Sequence, residues 1–197
     1  VVADRFANPD FVAADLLSQA EHGADSQVIC VTDNEELIPK IIAAVEQQMA
    51  ELPRRAIIEK SLESSRLILV NNLDEALEFV NCYAPEHLIL QTQNPEQWAD
   101  KVINAGSVFL GDFTPESAGD YASGTNHTLP TNGYARNYSG ISVDSFVKKI
   151  TFQKISPAGL KAIAPAIDCM ATTEKLQAHR NAVRIRLEAI EKGAGRG

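Results

Sequence analysis

Glutamate and histidine stand side by side at Glu86-His87, directly after a Pro85 that stiffens the chain. A carboxylate beside an imidazole is a candidate proton-transfer pair. In an extended segment adjacent side chains point to opposite faces, so the two serve one site only by approaching different parts of a substrate. The alternative is a turn-capping His87 beside a solvated Glu86, and the residues alone leave both readings open. The chain has four histidines, His22, His87, His127 and His179. Each is at a boundary, in a loop or on a helix face, and none is inside an apolar strand. Such histidines can ligate a metal through neutral imidazole or move protons near neutral pH.

Gln19 and His22 stand three apart near the end of a helical stretch, on one face, so both could point at one atom beyond the helix end. In isolation such a pair also reads as a solvated histidine complementing the helix dipole. Glu116, Asp120 and His127 lie in a Gly-, Ser-, Thr- and Asn-rich stretch from Gly106 to His127, which reads as a short buried strand opening into a long loop. A loop that long inside a compact domain is usually a binding or catalytic loop. Glu174 and His179 are five apart and only loosely aligned on a helix, where the plain reading is solvated surface. The sequence has no His-Glu-x-x-His, Cys-x-x-Cys, Gly-x-Ser-x-Gly, P-loop or G-x-G-x-x-G after a strand. The usual zinc protease, zinc finger, hydrolase and dinucleotide signatures are therefore missing.

The elements that position these residues follow from periodicity. Asn8-Pro9-Asp10 caps a helix with Phe11, Val12, Leu16, Leu17 and Ala20 at helical spacing, stopped by Gly23. Apolar runs at 27–33, 66–70, 88–90 and 107–110 read as buried strands, with helices expected over 34–52, 56–62, 74–80 and 95–103. Val1-Val2 is also strand-like. Leu37, Ile41, Ile42, Val45 and Met49 form the expected inner face of the second helix. Strands alternating with helices imply an α/β fold with a parallel sheet covered by helices. Beyond about Leu129 the chain becomes turn-rich, with a short helix over 143–148, a half-exposed strand over 150–155 and a helix over 156–166. A last helix over 173–192 carries Leu176, Val183, Leu187 and Ile190 on its core stripe. The expected domains are 1–140, the α/β body, and 141–197, a small helix-rich tail whose glycine-rich end frays.

A hydrophobic fraction of 45% with 22% charged residues is that of a globular protein. The net charge of −8, without a basic cluster, argues against nucleic acid. No apolar run reaches membrane-span length and no basic-then-apolar leader opens the chain, so no membrane partner is expected, and the location expected is cytoplasmic, with an organelle matrix the alternative. Cys30, Cys82 and Cys169 are scattered singly, as buried free thiols in a reducing compartment would be.

Four separated runs carry a resemblance: Asp15 to Gly23, Tyr83-Ala-Pro-Glu-His-Leu88, Gly106 to His127, and Glu174 with His179. In this order, over essentially the whole chain, they resemble histidinol dehydrogenase. The resemblance implies oxidation of L-histidinol to L-histidine through histidinaldehyde with two NAD molecules, and a partial Rossmann-like sheet. It implies zinc held by Gln19, His22, Asp120 and His179, the metal mainly orienting substrate. It makes His87 the proton acceptor for the alcohol and Glu86 the residue that activates water at the aldehyde stage. His127 and Glu174 become substrate contacts, alongside Gln19, His22, His87, Asp120 and His179.

Members of that family are about twice as long, and the part expected before Val1 supplies most of the NAD-binding region. No NAD-binding residue is therefore assigned here. Members are also homodimers whose tails cross, so Glu174 and His179 are expected to complete the partner's site. The alternative, from another class, is a non-catalytic metal-binding or dimerisation module retaining these motifs by descent. A zinc hydrolase has no motif to support it.

Overall fold

Asn8 sets the first long element: its side chain accepts from the Asp10 N–H at 2.9 Å and Pro9 presets the first turn. The computed structural model describes residues 1–193, and the expected fraying falls mainly on 194–197, outside them. The chain divides into two units, one from Val1 to Val147 and one beginning at Lys148.

In the first unit, strand β1 (Val2–Ala3) leads to helix α1 (Pro9–Ala20) and strand β2 (Ile29–Thr32). Helices α2 (Leu37–Met49) and α3 (Arg55–Ser64) precede strand β3 (Arg66–Leu69). Helix α4 (Leu73–Tyr83), strand β4 (His87–Gln91), helix α5 (Pro95–Ala99), strand β5 (Ser107–Leu110) and helix α6 (Glu116–Tyr121) follow. The five strands form one parallel sheet in the order β3-β2-β1-β4-β5. This is the α/β, Rossmann-like architecture expected from the alternation.

Side chains alternate across the sheet, and each face builds its own core. Ala3 and Cys30 pack with Val12, Leu16, Leu17, Ile41 and Ile58 beneath α1, α2 and α3. Val2, Val31, Leu88 and Leu90 pack on the opposite face with Leu73, Ala76, Leu77 and Val80 of α4. Each fully buried Ile or Leu contributes about 1.5–3 kcal/mol, so these faces hold the sheet between its helices.

Several expectations are corrected. Strand β3 is an edge, paired only with β2, and its Leu69 is 48% exposed rather than buried. Helix α2 turns Leu37, Ile41 and Ala44 inward at helical spacing, which leaves Ile42 on the outer side, 44% exposed. His87, expected before a strand, is the first residue of β4. The loop after β5 contains helix α6, begun by an extended Pro115 with Glu116 in the first turn, where its charge suits the helix dipole. Cys30 alone is a buried thiol, its pKa pushed up to about 11 by burial, whereas Cys82 and Cys169 are exposed.

After α6 come two short 3-10 turns, Tyr134–Arg136 and Val143–Phe146. In the second unit, residues 150–155 alternate in sequence but form no strand, because no described neighbour supplies the hydrogen-bonding edge a strand requires. Helix α7 (Pro157–Thr173) extends beyond the expected end through an internal Pro165. Helix α8 (Gln177–Glu191) starts after Leu176, following Lys175 at φ 60°. The two helices pack together and bury Ala164 and Ala171, while the expected stripe on α8 contributes no fully buried residue.

Candidate active site

The site begins where helix α4 ends. Ala84 takes the left-handed conformation at φ 55° and its N–H caps the Val80 carbonyl, so the chain turns sharply into Pro85, Glu86 and β4. The Gly106 N–H then donates to the Pro85 carbonyl and the Ser107 N–H to the Glu86 carbonyl, both at 2.9 Å. A Cβ on Gly106 would stand 2.5 Å from the Glu86 carbonyl oxygen, so only glycine permits this approach. The Glu86-His87 corner is thereby fixed at the amino-terminal rim of β4 beside the start of β5. Ligands of doubly wound sheets ordinarily bind at the opposite, carboxyl rim.

Helix α1 ends at this rim and brings Gln19, and α6 brings Glu116 and Asp120 from one helix face, four residues apart. Gly119 lets α6 settle on the β5 residue Phe109, since a Cβ there would lie 2.6 Å from the ring. Gln19 Nε2 donates to Glu116 Oε2 at 2.5 Å, and Glu116 Oε1 is 3.6 Å from His87 Nε2. The candidate donor atoms of His87, Glu116 and Asp120 all lie within 4.8 Å of one another. A cleft of about 670 Å³ opens beside them, lined among others by Asp15, Gln19, Tyr83, Glu86, His87 and Arg136.

Burial and charge tune these groups. Burial is the main influence holding the His87 imidazole below its ordinary value, opposed by Asp120 and reinforced by the charge of His22. Burial raises Glu86, with His22 lowering it and Asp120 raising it further. Glu116 is pushed up to about 7, first by burial and then by its carboxyl partner Asp120 and the charges of Asp15 and Glu86. His22 is exposed but close enough to act on both Glu86 and His87. His87 Nε2 and Glu116 Oε1 are buried without a hydrogen-bond partner. Crowded acids around an unpaired imidazole leave this rim short of positive charge, which a divalent first-row cation held beside them by oxygen and imidazole donors would supply.

The family model described as histidinol dehydrogenase matches residues 1–187. The chain belongs to the histidinol dehydrogenase family. It is 63% identical over 191 residues to the histidinol dehydrogenase of Bacteroides thetaiotaomicron, covering 97% of this chain and 45% of that protein. It is 51% identical over 194 residues to that of Salmonella typhi, with 98% and 45% coverage. The crystal structure of histidinol dehydrogenase from Elizabethkingia anophelis superposes with a TM-score of 0.92 at 57% identity, covering 96% of this chain and 44% of that one. The chain thus spans less than half the length of the histidinol dehydrogenases it matches.

Within this histidinol dehydrogenase segment, Gln19, His22, Glu86, His87 and Asp120 meet at one rim, though they come from three separated stretches of sequence. His127 is exposed beyond α6. Glu174, ending α7, and His179, on α8, belong to the second unit and are exposed there. Glu116 is missing from the site expected from sequence. The sequence offers it only as one acid of the 106–127 stretch, four residues before Asp120, and neither the stretch nor the resemblance gives it a role.

Proposed function

We propose that this chain is the metal- and substrate-orienting part of a zinc- and NAD-dependent histidinol dehydrogenase that oxidises L-histidinol to L-histidine through histidinaldehyde. The observation that carries the reading is the meeting of Gln19, His22, Glu86, His87 and Asp120 at one acidic rim in a chain of this family.

Gln19, His22 and Asp120 would hold zinc together with His179 of a tail exchanged from the other subunit of a homodimer. Zinc, when bound, would orient the substrate, and NAD would accept hydride at each of the two oxidations. His87 takes the hydroxyl proton at Nε2, the buried nitrogen with no hydrogen-bond partner. Burial favours its neutral, basic form at neutral pH. Glu86, on the neighbouring position, removes a proton from the water that adds to the aldehyde. Its raised pKa brings it closer to the working pH of a general base. His127 and Glu174 serve as substrate contacts.

Dimerisation is supported by the exposed apolar side chains of Tyr134, Val143 and Phe146 in the first unit and of Ile150 and Phe152 in the second. Among the described residues no helix is long and apolar enough to cross a membrane. Most of the NAD-binding region is assigned to the part of the family's length that this chain does not span.

The test is complementation. The chain is purified with zinc, histidinol and NAD, alone and co-expressed with the remaining segment of the Bacteroides thetaiotaomicron enzyme. NADH should form only with the added segment. Strong turnover by the chain alone sinks the division of labour. Bound zinc and a complemented dimer with no NADH favour the non-catalytic module.

A further inference from the structure

Gln19 offers a metal one usable atom, its amide oxygen, because the amide nitrogen carries hydrogens and no available lone pair. Side-chain amides turn over easily, so an unsupported glutamine can present either end. In this chain the choice is constrained. Gln19 Nε2 donates to Glu116 Oε2 at 2.5 Å, and with Glu116 ionised, turning the amide over would set its oxygen against a carboxylate oxygen. Glu116 is itself held firmly: its side chain is 3% exposed, and it sits one helical turn before Asp120 on a helix seated against Phe109 through Gly119.

We propose that Glu116 is a positioning residue that orients the Gln19 amide so that its oxygen faces the metal. The inference rests on the zinc reading above and adds to it a group that supports a ligand without being one. Its consequence is that a single short helix, α6, sets both Asp120 and the orientation of Gln19. A ligand fixed by an outer partner loses less freedom on binding, and removal of such partners typically weakens metal binding about 10- to 100-fold. Glu116 Oε1, facing His87 Nε2 at 3.6 Å, is not required for this role.

The experiment titrates the 197-residue chain with zinc and, separately, records the visible spectrum of its cobalt(II) form. Far-UV circular dichroism follows folding. E116Q keeps an oxygen that accepts from Gln19 and should bind zinc within about threefold of the parent. E116L should bind about 10- to 100-fold more weakly and shift the cobalt bands, with the helical signal retained. A pair of exchanges covers the case in which E116L does not fold. Q19E alone sets two carboxylates against each other and should bind weakly, whereas Q19E/E116Q restores a donor facing an acceptor and should recover binding. Parent-like zinc affinity and spectrum in E116L, or no recovery in the double exchange, overturns the positioning role. No zinc binding by the unsubstituted chain overturns the zinc reading itself, and the positioning role with it.

Discussion

Glu116 Oε1 and His87 Nε2 face each other at 3.6 Å, both buried and neither with a hydrogen-bond partner. Unpaired buried polar atoms are costly, and a proton on Glu116 removes the charge that burial and the neighbouring carboxylates disfavour.

The metal-free chain should therefore be less stable as Glu116 ionises. A carboxyl whose folded pKa is raised to about 7 binds its proton more tightly folded than unfolded, so stability falls as pH rises from about 4.5 through about 7. His87 acts in the opposite sense, because its depressed value costs stability as pH falls below about 6.5. Comparison with E116Q separates the two. The parent's unfolding free energy, measured in urea without metal, should decline relative to that of E116Q by up to about 3 kcal/mol across this window. Zinc should flatten the decline. A difference independent of pH argues against a titrating Glu116.

Gly106 carries the second expectation. A methyl there would lie 2.5 Å from the Glu86 carbonyl oxygen, a backbone atom that cannot move without shifting the start of β4. G106A should cost about 1–3 kcal/mol by overpacking and should also displace the Glu86-His87 corner. In a complemented enzyme the expected signature is a fall in kcat beyond that explained by the folded fraction. An unaltered urea midpoint and unchanged kcat together would show that the chain accommodates the methyl elsewhere.

The parts of the fold legible in sequence are those with strong periodicity or turn chemistry. Asn8-Pro9 announces α1, and the apolar runs at β2 and β4 can be buried only between helices. Sheet order is less visible. Nothing in Arg66–Leu69 marks it as an edge, because an edge is defined by the neighbour it lacks. The 150–155 alternation fails for a related reason, since periodicity specifies a face and not a partner. At the site, Gln19, His22, Glu86, His87 and Asp120 are recognisable through the family resemblance. Glu116 is obscured because Gly119 makes its helix look like loop, and the ring of Phe109 that makes that glycine useful becomes adjacent only after folding.

That packing gives a paired test. G119A would place a Cβ 2.6 Å from Phe109 Cε1 and 2.9 Å from Cζ, forcing α6 away from β5. A loss of about 1–3 kcal/mol is expected, with weaker zinc binding because Glu116 and Asp120 ride on the same helix. F109L removes the obstructing ring edge, so G119A/F109L should lose less than the sum of the single changes. A coupling of about 0.5 kcal/mol or more, measured in urea, is the expected result. Strict additivity would mean that the ring does not oppose the added methyl.

Asp15 provides the last expectation, because it ties the helix bearing Gln19 to the sheet. Its Oδ2 accepts from Gln91 Nε2 at 2.6 Å, and the two residues are only 6% and 1% exposed. Burial already holds the Asp15 carboxyl above its usual range, with the Gln91 bond acting against that shift. Q91L removes the bond and drives the carboxyl higher. The substitution should cost about 1–3 kcal/mol at neutral pH. An acid with a raised folded pKa loses stability as pH climbs from its unfolded value near 3.8, so the deficit should shrink on acidification. D15N/Q91L has no carboxyl to ionise at this position, and its stability relative to D15N should not vary with pH. Asp15 lies one turn before Gln19, so on the proposed zinc reading Q91L should also weaken zinc binding by loosening the helix that carries Gln19. A deficit that does not change with pH would assign the cost of Q91L to lost packing and release Asp15 from any part in holding α1.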